Sequence, residues 1–146
     1  MTVIEQLRES LAEMSVAVRE HSDGIVVPAT SIEGFDVSIL LVDGRYCVGF
    51  DRWDLDCFDA SEKDIAARLF TRCLSDRTRL AVGARGGRDV SWTLEELLDG
   101  QWASIARISK LASRFWLAKE VRHLQNHLYV LGPNNSFKPN PLRGSA

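Results

Sequence analysis

The residues best suited to chemistry crowd into FDRWDLDCFDASEKD, residues 50–64, where Asp51, Asp54, Asp56, Asp59, Glu62 and Asp64 surround Trp53 and Phe58. Carboxylates this close together could chelate a hard cation or present a negative surface to a basic partner. A calcium loop needs ligands at alternate positions, a glycine at its sharp turn and a distal bidentate glutamate. This stretch holds no glycine, and two bulky rings crowd it. Ser61 and Asp64 have the S-x-x-D spacing of a helix cap. Glu62 and Asp64 also fall in a first helical turn, where the macrodipole favours each carboxylate by about 0.3–1 kcal/mol. The other four, Asp51, Asp54, Asp56 and Asp59, can form a plain solvated strand end. With Trp53 and Phe58 as exposed anchors they form instead a partner-binding patch, since interface hot spots are rich in tryptophan and other large side chains.

A second candidate is His123 and His127 in HLQNH. On a helix, two histidines four apart could share a zinc ion, but Leu124 stands where the metalloprotease pattern needs a glutamate, and no third ligand is evident. Neither a metal nor a cofactor is therefore expected. There is no G-x-S-x-G, no G-x-G-x-x-G and no local signature around a cysteine, so no catalytic residue is assigned. Cys47, Cys57 and Cys73 are odd in number and include no C-x-x-C, which reads as reduced, mostly buried thiols in a cytoplasmic protein. The first residues lack a basic segment followed by an apolar one, and no apolar run approaches the ~20 residues of a membrane span. No membrane association is expected.

Between Lys63 and Arg88 the balance turns basic, with Arg68, Arg72, Arg77, Arg79 and Arg85 in between and only Asp64 and Asp76 opposing them. RGG at 85–87 invites a nucleic-acid reading. Placed between two alternating runs, however, it is a Gly-Gly hairpin turn, and a net charge of -2 with a pI near 5.9 is the wrong global signature. Nucleic acid is disfavoured as a partner.

The elements that must position these groups follow from periodicity. A chain of 146 residues fits one domain, which at this size buries about 68–70% of its unfolded surface. Thr2 and Glu5 form a capping-box pattern, and Ile4, Leu7, Leu11, Met14 and Val18 predict an amphipathic helix over 3–19 that HSDG ends. GIVVPAT reads as an edge strand because Pro28 cannot donate to a ladder. Alternation through Phe35–Leu41 and Tyr46–Phe50 about Asp43-Gly44 predicts a type I′ hairpin. A second hairpin spans residues 78–94 about RGGR, and a third strand starts at Gln101. Ile65, Leu69 and Cys73 predict a crossing helix within 61–76. Residues 114–126 fit a helical face through Leu117, Val121 and Leu124, although Leu124, Asn126, Leu128 and Val130 also alternate as a strand; helix is taken. The chain should form a single α+β domain over 1–131 and an irregular tail over 132–146: an N-terminal helix, a mostly antiparallel sheet of two hairpins or a meander, one crossing helix and a C-terminal helix.

The order RLxV, RGG, WTxE and DGxW in RLAVGARGGRDVSWTLEELLDGQW, with FDRW upstream and FW and LQN downstream, resembles a family of short uncharacterised bacterial proteins. The resemblance spans residues 46–126 and implies no activity, so it carries over no catalytic residue. The family pattern has a histidine soon after FDRW and phenylalanine and proline before FW. This chain has DLD and ARISKLASR there. The leading expectation is a small protein-interaction domain, such as an immunity-type inhibitor masking a toxin or another basic partner with Asp51, Trp53, Asp54, Asp56, Phe58 and Asp59. A metal-dependent hydrolase using the aspartates or His123 and His127 is the alternative, and a homodimeric domain built on the first helix the third reading.

Overall fold

A computed structural model describes residues 2–51, 53–110 and 116–142. Helix α1 (Val3–Glu13) starts as its cap pattern predicts: Thr2 Oγ1 accepts from the Glu5 backbone N–H at 3.2 Å, and the Thr2 N–H donates to Glu5 Oε2 at 3.0 Å. Val3, Ile4, Leu11 and Met14 are buried in the protein's own core. The helix is shorter than expected. Ser15 takes a left-handed φ of 57°, and the chain then forms β1 (Arg19–His21), so HSDG is the turn into β2 (Gly24–Val27) and not a helix end. Nor is β2 an edge: it lies between β1 and β3 (Val37–Val42), with Pro28 just past its end, where its missing N–H costs no ladder bond.

Strands β3 and β4 (Arg45–Phe50) form the predicted hairpin, with φ of 51° at Asp43 and 76° at Gly44, the double positive-φ signature of a type I′ turn. β5 (Trp53–Asp59) continues the meander antiparallel to β4, with a bulge at Val48/Gly49, and ends a five-stranded sheet ordered β1-β2-β3-β4-β5. Ile25, Val27, Val37, Ile39, Val48 and Phe50 are fully buried. Helix α2 (Lys63–Cys73) packs against this sheet and α1, burying Ala66, Phe70 and Cys73, and each large apolar side chain so removed from water contributes roughly 1.5–3 kcal/mol. The Ser61/Asp64 cap is not made. A short 3-10 turn (Ala60–Glu62) leads into α2, and the N-cap is Glu62, without a side-chain cap bond.

After α2 comes a four-stranded antiparallel sheet ordered β8-β7-β6-β9, built from β6 (Thr78–Arg85), β7 (Arg88–Leu98), β8 (Gln101–Ser109) and β9 (Lys119–Gln125). Positive φ at Gly86 and Gly87, and again at Asp99 and Gly100, closes its hairpins where the sequence placed them. Leu80, Val82, Trp92 and Leu94 turn inward and join the same core as the first sheet. Trp53 and Trp92, with ring centroids 5.2 Å apart and tilted by 54°, link the two sheets.

The expected helix over 114–126 is a strand from Lys119 onward; residues 111–115 lie outside the described residues. A full ladder from Arg79↔Gln125 to Arg85↔Lys119 overrides the local helical pattern, with Leu124 packed against the core and Val121 and His123 facing water. The tail is more regular than expected through Pro139, because β10 (Tyr129–Leu131) pairs with β11 (Phe137–Pro139). Where β9 ends, Asn126 is buried and joins three segments. Its Nδ2 donates to Phe35 O and Cys73 O, each at 3.1 Å, and its Oδ1 accepts from Phe35 N at 3.3 Å.

The reading of all three cysteines as thiols is corrected. Cys47 and Cys57 face each other across β4 and β5, with Cα atoms 4.0 Å apart, and are joined as a disulfide. A spacing of ten residues hides this, because the register through two strands and an intervening turn creates the proximity. Cys73 is a buried free thiol, and burial pushes its pKa up to about 12. Among the described residues no helix is long and apolar enough to cross a membrane.

Candidate partner-binding edge

The acidic stretch becomes an open sheet edge. β5 is the last strand of the first sheet, so its far side has no neighbouring strand among the described residues, and Asp54, Asp56 and Asp59 along it are exposed. The sequence folds this way because the Asp43-Gly44 hairpin sets the β4 register and the bulge at Val48/Gly49 lets β5 follow. Ladder partners are Gly49 for Asp54, Val48 for Asp56 and Arg45 for Asp59.

Charge compensation is sparse along this edge. Arg45 Nε lies 3.3 Å from Asp59 Oδ1, an exposed pair worth little in water. Asp56 Oδ1 accepts from the Cys57 N–H at 2.9 Å, and among the described residues no cation stands within salt-bridge distance of Asp51, Asp54 or Asp56. Asp51 is displaced from the row. It sits beyond β4 at a left-handed φ of 54°, where its negative field helps hold the Arg122 guanidinium above its ordinary pKa, behind the larger effect of the Asp89 hydrogen bond.

The two rings behave differently from expectation. Trp53 and Phe58 are partly buried and packed against the core, Trp53 on Trp92 and Phe58 in register with the buried Tyr46. They brace β5 from within, and the side chains offered to a partner are the carboxylates. The structure therefore leaves Asp54, Asp56 and Asp59 exposed along one edge strand but on two faces. Asp54 and Asp59, opposite Gly49 and Arg45, point outward, whereas Asp56, opposite the buried Val48, lies on the side of Trp53 and Phe58. Asp51 is set apart. The disulfide ties β5 to β4 in the middle of this row, a feature for which cysteine spacing gave no signal.

The other candidates disperse. His123 lies on β9 in register with Ala81, and its Nε2 is 3.9 Å from Glu95 Oε1. His127 follows the strand and lines a cavity of about 470 Å³ with Val16, Pro28 and Leu128. In extended chain four residues span about 13 Å, too far for one ion. Among the described residues no group of three or more His, Cys, Asp or Glu side chains is placed to hold a metal ion. The basic run divides too: Arg72 pairs with Glu96 at 3.0 Å, Arg79 with Glu95 at 2.7 Å, and Arg77 and Arg85 donate to the carbonyls of Leu97 and Leu117.

No family model, curated protein or solved structure matches this chain. Every functional statement therefore rests on its own residues.

Proposed function

We propose that this protein is a small protein-binding domain whose acidic β5 edge receives a basic partner, in the manner of an immunity-type inhibitor that masks a toxin. The observation that carries this reading is the three exposed carboxylates Asp54, Asp56 and Asp59 spread along one edge strand, of which Asp59 alone has a cation within reach among the described residues. A row of like charges is unfavourable for the isolated chain, and a basic surface laid against it converts that repulsion into attraction. The same row steers encounter, raising association rates from about 10⁵–10⁶ toward 10⁸–10⁹ M⁻¹s⁻¹ at low salt. The open side of β5 also offers backbone N–H and C=O groups to an added strand, so a basic partner segment could pair with the edge while its lysines or arginines reach the carboxylates on the two faces of β5.

The test is affinity capture from the source cell's extract with the parent and with Asp54→Lys/Asp56→Lys/Asp59→Lys. A basic protein retained by the parent at low salt, released at high salt and absent from the variant supports the reading. Retention unchanged by the triple reversal removes the edge from consideration. Edge charges can also serve to block strand pairing between copies. If Asp54→Asn/Asp56→Asn dimerises in light scattering while the parent captures nothing, the carboxylates guard the edge and do not recruit.

A further inference from the structure

The second sheet carries an unexplained cluster of opposite sign. Its outward face places Arg107, Thr93, Ala81 and His123 in one ladder row, and Arg85 directly opposite Lys119 two rows away. Between them Gly83 is paired with Ser91 on one side and Val121 on the other. Gly83 is required by this arrangement, because a Cβ there would collide with Lys119 Cε and Ser91 Oγ and come within 3.1 Å of Lys119 Nζ. The lysine stem thus lies flat across the sheet, with its ammonium above the glycine.

Three cations share this outward face: Arg85, which also donates to the Leu117 carbonyl, stands opposite Lys119, and Arg107 comes from β8 at the far edge of the sheet. Among the described residues no carboxylate stands within salt-bridge distance of Arg85, Arg107 or Lys119. The acids around them are engaged or remote: Glu95 pairs with Arg79, Asp89 pairs with Arg122 at 2.7 Å, and Glu120, opposite Ala84, faces away from this row. Burial, and then the fields of Arg107 and Arg85, hold the Lys119 ammonium below its ordinary pKa. Repulsion of this kind is relieved by an anion.

We propose that Lys119, Arg107 and Arg85 hold a phosphomonoester group on this outward face, where Gly83 lets the Lys119 stem lie flat and present its ammonium. A phosphomonoester carries about -1.5 to -2 charges at pH 7 and offers three acceptor oxygens, matching three cations on one face better than a carboxylate with two. Guanidinium forks suit it through paired N–H donors. A nucleic-acid strand would need a row of phosphate contacts and open aromatic faces for its bases. Here the three cations share one face of a four-stranded sheet, and Arg79 already lies over the Trp102 ring at 4.3 Å from its centroid.

The experiment is an amide-resonance titration of the full chain with potassium phosphate, and with potassium chloride at matched ionic strength. Parallel arms use a phosphoserine hexapeptide, its unphosphorylated form and a twenty-residue oligothymidylate. Saturable shifts centred on Gly83, Ser91 and Lys119 with phosphate but not chloride, weakened at least tenfold in Lys119→Ala and in Arg107→Ala, support the site. Tighter binding of the phosphopeptide than of inorganic phosphate assigns the group to a protein partner, and equal binding to a small phosphate ester. Both variants are surface truncations, and unchanged resonances from the core verify their fold. Shifts matched by chloride, or unaltered by the substitutions, overturn the proposal. Oligothymidylate bound more tightly than either phosphate probe also overturns it, in favour of nucleic acid.

Discussion

Replacing Asn126 should weaken the fold by an amount calculable from its three hydrogen bonds. Its amide donates to Phe35 O and Cys73 O and accepts from Phe35 N, at 3.1, 3.1 and 3.3 Å, in a site only 6% exposed. Each such bond contributes a net of about 1 kcal/mol, and leaving its partner buried and unsatisfied raises the loss toward 1–3 kcal/mol. Asn126→Ala should therefore cost about 3 kcal/mol. In a chain of this size that lowers Tm by about 6–12 °C, at roughly 2–4 °C per kcal/mol. Asn126→Leu keeps the branched four-atom side chain and removes the polarity, so it should lose at least nearly as much. Gly34 provides an internal check, because a Cβ there would approach Asn126 Oδ1 to 2.8 Å. Gly34→Ala should be destabilising alone, and less so in the Asn126→Ala background, where the obstructing oxygen is gone. Thermal and urea unfolding followed by far-ultraviolet circular dichroism compare the four variants with the parent. An Asn126→Leu variant within about 2 °C of the parent would refute the reasoning, since the site would then be held by packing and not by hydrogen bonds.

Thr78 is fully buried and its Oγ1 meets no hydrogen-bond partner among the described residues, so Thr78→Val should leave stability unchanged or raise it by about 1 kcal/mol in urea unfolding. Cys73, raised to about 12 in the fold from an ordinary value of 9.0, keeps its proton through a range where the unfolded chain loses it. Both states are protonated below pH 9, and above it stability falls by about 1.4 kcal/mol per pH unit until the folded thiol titrates; Cys73→Ala should flatten the alkaline limb of a stability–pH profile by that increment. Thiol titration of denatured, unreduced protein should find Cys73 alone, and prior reduction should release Cys47 and Cys57 as well; three thiols before reduction would remove the cross-strand bond.

Local chemistry was legible wherever it acts alone. The Thr2/Glu5 box, Asp43-Gly44, the paired glycines of RGGR and Asp99-Gly100 each announce a terminus or turn within four residues, and each is where the sequence put it. Apart from the unmade Ser61/Asp64 cap, what failed depends on partners far along the chain. Leu117, Val121 and Leu124 satisfy a helical period by themselves, and the β6 edge, some forty residues earlier, makes the segment around Leu124 a strand. Pro28 suggested an edge strand, yet β1, which begins at the last residue assigned to the first helix and runs into HSDG, covers that side of β2.

The site divides along the same line. That Asp54, Asp56 and Asp59 stand in water follows from their type, but that they occupy the free margin of a sheet follows only from strand order, and the inward turn of Trp53 follows from meeting Trp92 on the other sheet. The cation cluster was invisible for a stronger reason: Arg85, Arg107 and Lys119 are spread over 35 positions, and β8 and β9 both had to be strands before their side chains could share a face. Net charge near zero concealed the result, because an acidic edge on one sheet and a basic face on the other cancel in the sum while remaining separate as surfaces. A partner meeting this molecule experiences the local fields and not the total, so the two surfaces can be tested independently. Reversing the β5 carboxylates should leave phosphate binding at Lys119 unchanged, and truncating Lys119 should leave capture of a basic partner unchanged. Coupling between them in a double-mutant comparison would mean that one ligand spans both sheets.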